Sequence, residues 1–309
     1  MAQASPTLPA GISLRGSAAR RRRETIVRGL FLTASLATVV ISAFIVWTVL
    51  IEAIGFLGQI DLGQLFGIGW FPRRGIFDVT TLLLGTLIVT VIAMAIATPV
   101  GLASAIYLSE YASPRVRRAV KPVLEVLAGI PSVVLGFFAL TVLTPQVIKV
   151  LFPAANAFNL AAAGIGVGIL SVPLVASVAE DAMRAVPRSL REASYGLGAR
   201  KITTSLRVVF PAAVSGIVAA LILATSRAIG ETMVVAVAAG APQARTVNPL
   251  DPGGTMTSAM VQLATGSDQV TGNTAAFQSL FFIGLLLFVI TLLLNVLGDA
   301  FVRRARQRY

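Results

Sequence analysis

Six apolar runs, each about twenty residues long or longer, leave this chain few ways to fold: residues 26–51, 80–108, 123–143, 160–179, 211–239 and 277–301. A bilayer's hydrocarbon core takes about 20 residues of helix to cross, and a backbone in lipid must satisfy its own hydrogen bonds, so each run reads as a spanning helix. Composition agrees: 56% of the 309 residues are hydrophobic and 12% charged, where soluble domains carry about a quarter charged residues. The expected fold is an all-α polytopic membrane protein with six transmembrane helices. Cys and His are both absent. That excludes disulfides, thiol chemistry, His-based metal sites and Ser/His or Cys/His triads, and no metal site is expected.

The charges orient the chain. With the N-terminus inside, the inner pieces hold six Lys/Arg before the first span (Arg28 at its edge included), four after the second, six between the fourth and fifth, and four at the C-terminus, twenty of the 25 in all. The positive-inside rule then puts both termini in the cytosol. A net charge of +12 placed this way speaks for the membrane surface, and no nucleic-acid partner is expected. None of Lys121, Lys149 and Lys201 follows a Gly, so the chain has no P-loop and no catalytic residues for ATP hydrolysis. Any ATP and Mg2+ that drive it are bound by another chain.

Residues 1–25, rich in Pro, Ser and Ala and ending in the basic run from Arg20 to Arg23, read as a disordered cytosolic tail. The run that follows is too long for a signal-peptide core. Residues 26–79 then hold the first span and an extracytoplasmic segment in which Trp70 and Phe71 suit the headgroup level. Residues 80–302 form a core of five further helices, and 303–309 a basic cytosolic tail. Pro131, inside the third run, is expected to kink its helix at a gate-like point, because it lacks an N–H and frees the carbonyl four residues back. Gly164 and Gly168, four apart, allow a close helix neighbour. Residues 240–274 are placed outside, with 256–264 able to form a short amphipathic helix. No internal repeat is evident, which weighs against an ion-coupled carrier.

The most ordered polar interruption is 192–211, EASYGLGARKITTSLRVVFP. It reads as two short helices with a turn at Gly196 and Gly198, and with Leu197, Ile202, Leu206 and Val209 at helical spacing beside Arg200, Lys201 and Arg207. Such a hairpin offers an apolar stripe to another protein. It resembles the EAA loop of bacterial ABC importer permeases: Glu-Ala-Ala, three residues, Gly, nine residues, Ile, one residue, Leu-Pro. Glu192, Ala193, Gly198, Val208 and Pro211 meet the pattern, while Ser194 replaces the second Ala and Phe210 the Leu. The resemblance implies a type I ABC importer permease fold, with a coupling loop over about 184–211 in which Glu192, Ala193, Gly198 and Pro211 engage the ATPase.

The second site is SRAIGETM at 226–233, in the fifth run. Counted at 1.5 Å per residue from Pro211, Arg227 falls roughly 24 Å along the helix, near the bilayer midplane. An arginine there costs at least about 2.5–3.5 kcal/mol on insertion scales, so it needs a partner or a wet path. Glu231, four residues on, would share its face and pair with it. An Arg able to leave Glu231 for a passing oxyanion suits weak binding and release. Together with Ser226 and Thr232 these residues make a candidate substrate path.

Added to LEVLAGIPSVVLGFFAL from Leu124, AIYLSEYA from Ala105 and NPLDPGGTMTSAM from Asn248, this stretch resembles the permeases of the high-affinity phosphate importer, the Pst system. Met233 makes it closer to the PstC type than to the PstA type. The resemblance covers about residues 28–302. It implies a second permease (PstA-like), a dimer of ATPase subunits (PstB-like) and an extracytoplasmic phosphate-binding protein (PstS-like). An importer for sulfate, molybdate or another solute stays open as the alternative, and an ion-coupled carrier as a more distant one.

Overall fold

The computed structural model describes residues 18–241, 245–266 and 274–305, and every structural statement below concerns these. Most of the expected N-terminal tail (1–17), the end of the C-terminal tail (306–309) and parts of the outer segment (242–244, 267–273) lie outside them. The chain divides into two units, Met1–Val49 and Leu50–Tyr309.

Helix α1, Ala18–Leu57, supplies the described part of the first unit. It begins inside the stretch expected to be disordered, and its side chains from Arg22 to Thr48 are all exposed. Exposure of Ile26, Leu30, Phe31 and Phe44 above 60% is tolerable only against lipid or another chain.

In the second unit a 3-10 turn, Leu62–Phe66, leads into a two-residue hairpin, β1 (Trp70–Phe71) and β2 (Ile76–Phe77), pairing Trp70 with Phe77. The headgroup placement of Trp70 is corrected: it is 2% exposed and stacks edge-on to Phe77, which does the same to Phe56. A ring that amphipathic finds more apolar contact in this cluster than at an interface.

Helix α2 (Val79–Ile106, extended by a π turn over Tyr107–Tyr111) lies against α6 (Leu160–Arg184). Their contact is lined by small residues. A Cβ on Gly164 would lie 2.7 Å from the Ile92 Cβ, and one on Gly168 3.0 Å from the Ala93 carbonyl, so the spacing noted above serves close approach.

Between these two helices, α3 (Pro114–Ala128) ends at Gly129, and α4 (Ser132–Phe138) starts a span that continues through a π-helical stretch, Ala139–Ile148, into α5 (Lys149–Leu151). The expected third span and its kink are therefore corrected. The helical stretch long and apolar enough to cross is Ser132–Leu151, and Pro131 caps its start with φ −57° and ψ 128°. A residue preceding proline is held out of the helical region, so the chain breaks here instead of bending.

After α7 (Arg188–Gly196), α8 (Lys201–Thr204), a π turn (Ser205–Val209) and α9 (Phe210–Ala212), the path bends by 70° into α10, Val214–Ile229. Helix α10 has 16 residues, about 24 Å at 1.5 Å per residue and short of a hydrocarbon core of about 30 Å. A second break at 230–232 separates it from α11, Met233–Ala238. Helices α12 (Met256–Thr265) and α13 (Thr274–Ala305) complete the order. Five helices are long and apolar enough to cross a membrane, or six if the bent pair counts as one.

The segment between α11 and α12 is not a free outer loop. Carbonyls of Pro249 and Asp251 accept from the N–H groups of Ala161 and Leu160 at the start of α6, and Ala239 O accepts from Gly253 N. Helix N-termini leave such donors unsatisfied, and this loop fills them. Its other end is held by Asp78, which is fully buried and takes donors from Thr81 at 2.6 Å and Arg245 at 3.2 Å. Burial pushes the Asp78 carboxyl up, but the hydrogen bonds of Thr80, Thr81 and Arg245 and the charge of Arg245 outweigh it and hold the group below its ordinary value.

Helix α12 is likewise packed inside, with Met256, Thr257, Ser258 and Ala259 all buried. At its start a Cβ on Gly85 would lie 2.1 Å from the Gly254 carbonyl. Ala in place of Gly within a helix normally gains about 1 kcal/mol. Here Gly85→Ala is expected to lose about 1–3 kcal/mol or more, because a backbone carbonyl has to move. A thermal midpoint of the purified chain equal to or above the parent's would contradict this packing.

Candidate functional site

The hairpin at α7–α9 is built by local chemistry. Helix α7 stops where Gly198 takes φ +75°, a left-handed conformation that costs other residues roughly 1–2 kcal/mol. Ala199 N then donates to Ser194 O at 3.1 Å, and the Ser194 and Thr204 hydroxyls meet at 2.9 Å. The Ser that departs from the motif thus staples the two arms together.

Glu192, Ala193, Gly198 and Pro211 are all exposed. Leu197 is 90% exposed, Ile202 50% and Leu206 47%, whereas Val209, expected on the same stripe, is fully buried with Met183 and Ile217. The apolar surface therefore consists of the first three.

The hairpin is tied to the end of α2 by side chains the sequence did not single out. Arg191 in α7 pairs with Glu110 at 2.9 Å, and also donates to Val186 O at 2.7 Å and Met183 O at 2.8 Å. Lys201 in α8 sits 4.9 Å from the centre of the Tyr111 ring. Both arms thus hold the same π turn, Tyr107–Tyr111. Nearby, the fully buried Glu180 of α6 pairs with Arg117 of α3 at 2.5 Å. A signal was available: Glu110 and Glu180 are carboxylates at the ends of long apolar runs, where charge is costly without a partner.

The second site lies at the break between α10 and α11. Arg227 is in the last turn of α10 and exposed. The expected pairing is corrected: among the described residues no ion pair joins Arg227 to Glu231. Helix α10 ends at Ile229, so four-residue spacing no longer places the two on one face. Glu231 instead turns to the start of α11, its Oε1 accepting from Val234 N at 3.4 Å. Its carbonyl accepts from the Thr257 hydroxyl at 2.7 Å. Ser226 donates to Asn295 Oδ1 of α13 at 3.1 Å, and Thr232 to Gly230 O at 3.2 Å.

The sequence reading missed Thr257 and Asn295. Asn295, a lone amide in the apolar run LLLNVL, was findable by that isolation. Thr257 was not, because its segment read as external. Ser226, Arg227, Glu231 and Thr232 thus stand at a break between two helices, and the exposed guanidinium of Arg227, with no ion pair or hydrogen bond among the described residues, is the strongest donor there.

A bundle of apolar spans, with a broken helix carrying polar groups and an exposed hairpin anchored to it, defines a membrane transport subunit of the type I ABC importer permease fold. The chain belongs to the family described as the binding-protein-dependent transport system inner membrane component, which matches residues 97–307. It is 32% identical over 288 residues, 91% of this chain and 92% of the relative, to the probable ABC transporter permease protein YqgH of Bacillus subtilis. It is also 32% identical over 253 residues to the phosphate transport system permease protein PstC 1 of Mycobacterium tuberculosis, covering 75% of this chain and 74% of that one. Identity to that species' PstA 1 is 33% over 225 residues, 72% and 70% of the two chains. A bacterial ABC transporter involved in import of the acidic polysaccharide alginate shares the fold, with a TM-score of 0.56 at 15% identity over 93% of this chain and 100% of that one.

Proposed function

We propose that the chain is the permease subunit, of the PstC type, of an ATP-driven importer that carries inorganic phosphate across the bacterial plasma membrane. The phosphate assignment is carried by its likeness to permeases named for phosphate transport. The coupling assignment is carried by one observation: an exposed apolar hairpin whose two arms both grip the end of a spanning helix. Both termini and the hairpin are cytosolic, a reading that the charge distribution supports.

The chain is not an enzyme. A dimer of PstB-like ATPase subunits holds ATP and Mg2+ and receives the hairpin through Leu197, Ile202 and Leu206. Glu192, Ala193, Gly198 and Pro211 belong to that contact. When the ATPase closes, displacement of α7 passes through Arg191 and Glu110 into α2, and from α2 into α6 along their close contact. Pro131 separates α3 from the span that follows, and lets the two move as different bodies. Phosphate passes the break at 230–232, with Arg227 as its cationic contact and Ser226, Thr232 and Glu231 beside it. A PstA-like permease supplies the other half of the path.

A PstS-like binding protein docks at the opposite end, on exposed parts of 52–79 and 240–274. Thr257 is buried, but Gln59 and Val247 are exposed.

The decisive experiment is co-purification of the chain with its partners, followed by uptake of labelled phosphate into proteoliposomes. ATP-dependent uptake that requires the separate ATPase is expected. In a chain without native Cys, probes at Gln59 and Val247 should crosslink to the binding protein. Gradient-driven uptake by the single chain, or crosslinking of those probes to the ATPase, would overturn the reading.

A further inference from the structure

Next to the hairpin lies a cavity of about 350 Å3, of whose lining the transport reading uses only Arg191. Four arginines from three helices line it: Arg117 of α3, Arg184 of α6, and Arg188 and Arg191 of α7. Leu108 and Ala112, at the end of α2, form its apolar side. No carboxylate lines it. The acids near it are already engaged from behind. Glu180 faces Arg117 at 2.5 Å, Lys121 at 3.9 Å and Arg184 at 4.0 Å, and Glu110 faces Arg191 at 2.9 Å. Asp181 is held by Lys121 at 3.1 Å. Among the described residues Arg188 has neither an ion pair nor a hydrogen bond. Against the four guanidiniums stand only Glu110 and Glu180, so the cavity presents about two uncompensated positive charges. Partly desolvated walls strengthen their demand for an anion: the Arg191 side chain is 16% exposed and that of Arg117 25%.

Helix α3 identifies the source of that anion. Its cationic side faces α6 through Arg117 and Lys121, while Val116, Val123, Val126 and Leu127 are 38–71% exposed, and none of its residues is buried. A helix that is charged on its inner side and apolar on its outer side suits the plane of the membrane interface, its apolar face in the acyl region. The mouth of the cavity then lies at the level of lipid phosphates. Clusters of basic side chains between helices at that depth recognise acidic headgroups.

The geometry points to a binding site for an acidic phospholipid, its phosphate among Arg117, Arg184, Arg188 and Arg191 and its acyl chains along the apolar side of α3. The site is separate from the substrate path and does not depend on which solute is carried. It makes the seating of the hairpin against α2 and α6 sensitive to the lipid around it.

Native mass spectrometry of the full chain from mixed micelles of phosphatidylglycerol and phosphatidylcholine tests this. Preferential retention of phosphatidylglycerol is expected, and roughly tenfold weaker retention in Arg184→Gln/Arg188→Gln. The double Lys variant should keep most of it, since a phosphate accepts a point charge. If the double Gln variant does not fold, the single exposed change Arg188→Gln serves in its place, with several-fold weaker retention expected. Equal retention of the two lipids, or unchanged retention in the Gln variants, would overturn the proposal. So would displacement of the lipid by inorganic phosphate alone, which would make the ligand a free oxyanion.

Discussion

Gly198→Asp is expected to abolish phosphate uptake while the chain still folds and inserts. Gly198 sits at φ +75° with nothing within 4 Å of where a Cβ would be. Asp is among the residues that tolerate this region, so the intramolecular cost is small, about 1 kcal/mol. A lesion that abolishes transport must then act on whatever occupies the open space, which on the reading above is the ATPase cleft. Moving a two-state permease from 1:99 to 99:1 takes about 5.5 kcal/mol of differential interaction. A loose loop cannot deliver it. This hairpin is stiffened by the Ser194–Thr204 contact and clamped to α2 by Arg191. The measurements are ATP-dependent uptake and retention of the ATPase on the purified permease. Normal uptake by Gly198→Asp would remove the hairpin from the mechanism.

Arg227→Gln is expected to lower uptake on the order of a hundredfold, the loss implied by removing one charge-assisted contact from a poorly hydrated path. Assembly and basal ATPase activity should persist. Arg227→Lys should recover little, because a single ammonium cannot grip an oxyanion bidentately. Glu231 should behave differently from its neighbour. Its carboxylate receives the Val234 N–H, and Gln can still accept there, so Glu231→Gln is expected to be milder than Glu231→Ala, which loses that acceptor. The exchange of the two residues, Arg227→Glu with Glu231→Arg, should stay inactive. A self-neutralising pair would be symmetric, but these side chains are not paired. Full recovery by the exchanged protein in proteoliposomes would sink the substrate-path role of Arg227.

Why the hairpin was legible and the break was not follows from where each is decided. The turn at Gly198 needs only a residue without a Cβ and the flanking helical spacing, both local to the stretch 192–211. SRAIGETMVV runs at helical spacing without interruption, and its single Gly is tolerated in many helices. The helix nevertheless stops there, and the Glu231 carbonyl beside the break accepts from the Thr257 hydroxyl, 26 residues later, a contact that no local spacing announces. Pro131 marked a disruption correctly placed in the chain, yet whether a proline bends a helix or separates two depends on what packs on either side. Trp70 offered an apolar body and a polar edge that fit an interface and a core equally, and Phe56 and Phe77 decided for the core.

The sequence by itself determined the apolar runs, the placement of the basic residues, the absence of Cys, His and a P-loop, and the hairpin. Each is a property of composition or short-range spacing that lipid and backbone geometry translate directly. Only the tertiary structure decided that the outer segment folds back to cap α6, that α12 is buried, that Arg227 and Glu231 part company, and that Glu110 and Arg191 join the hairpin to α2. Those outcomes depend on which donor meets which acceptor across scores of residues, and in a membrane bundle nearly every spacing that permits such a meeting also permits its absence.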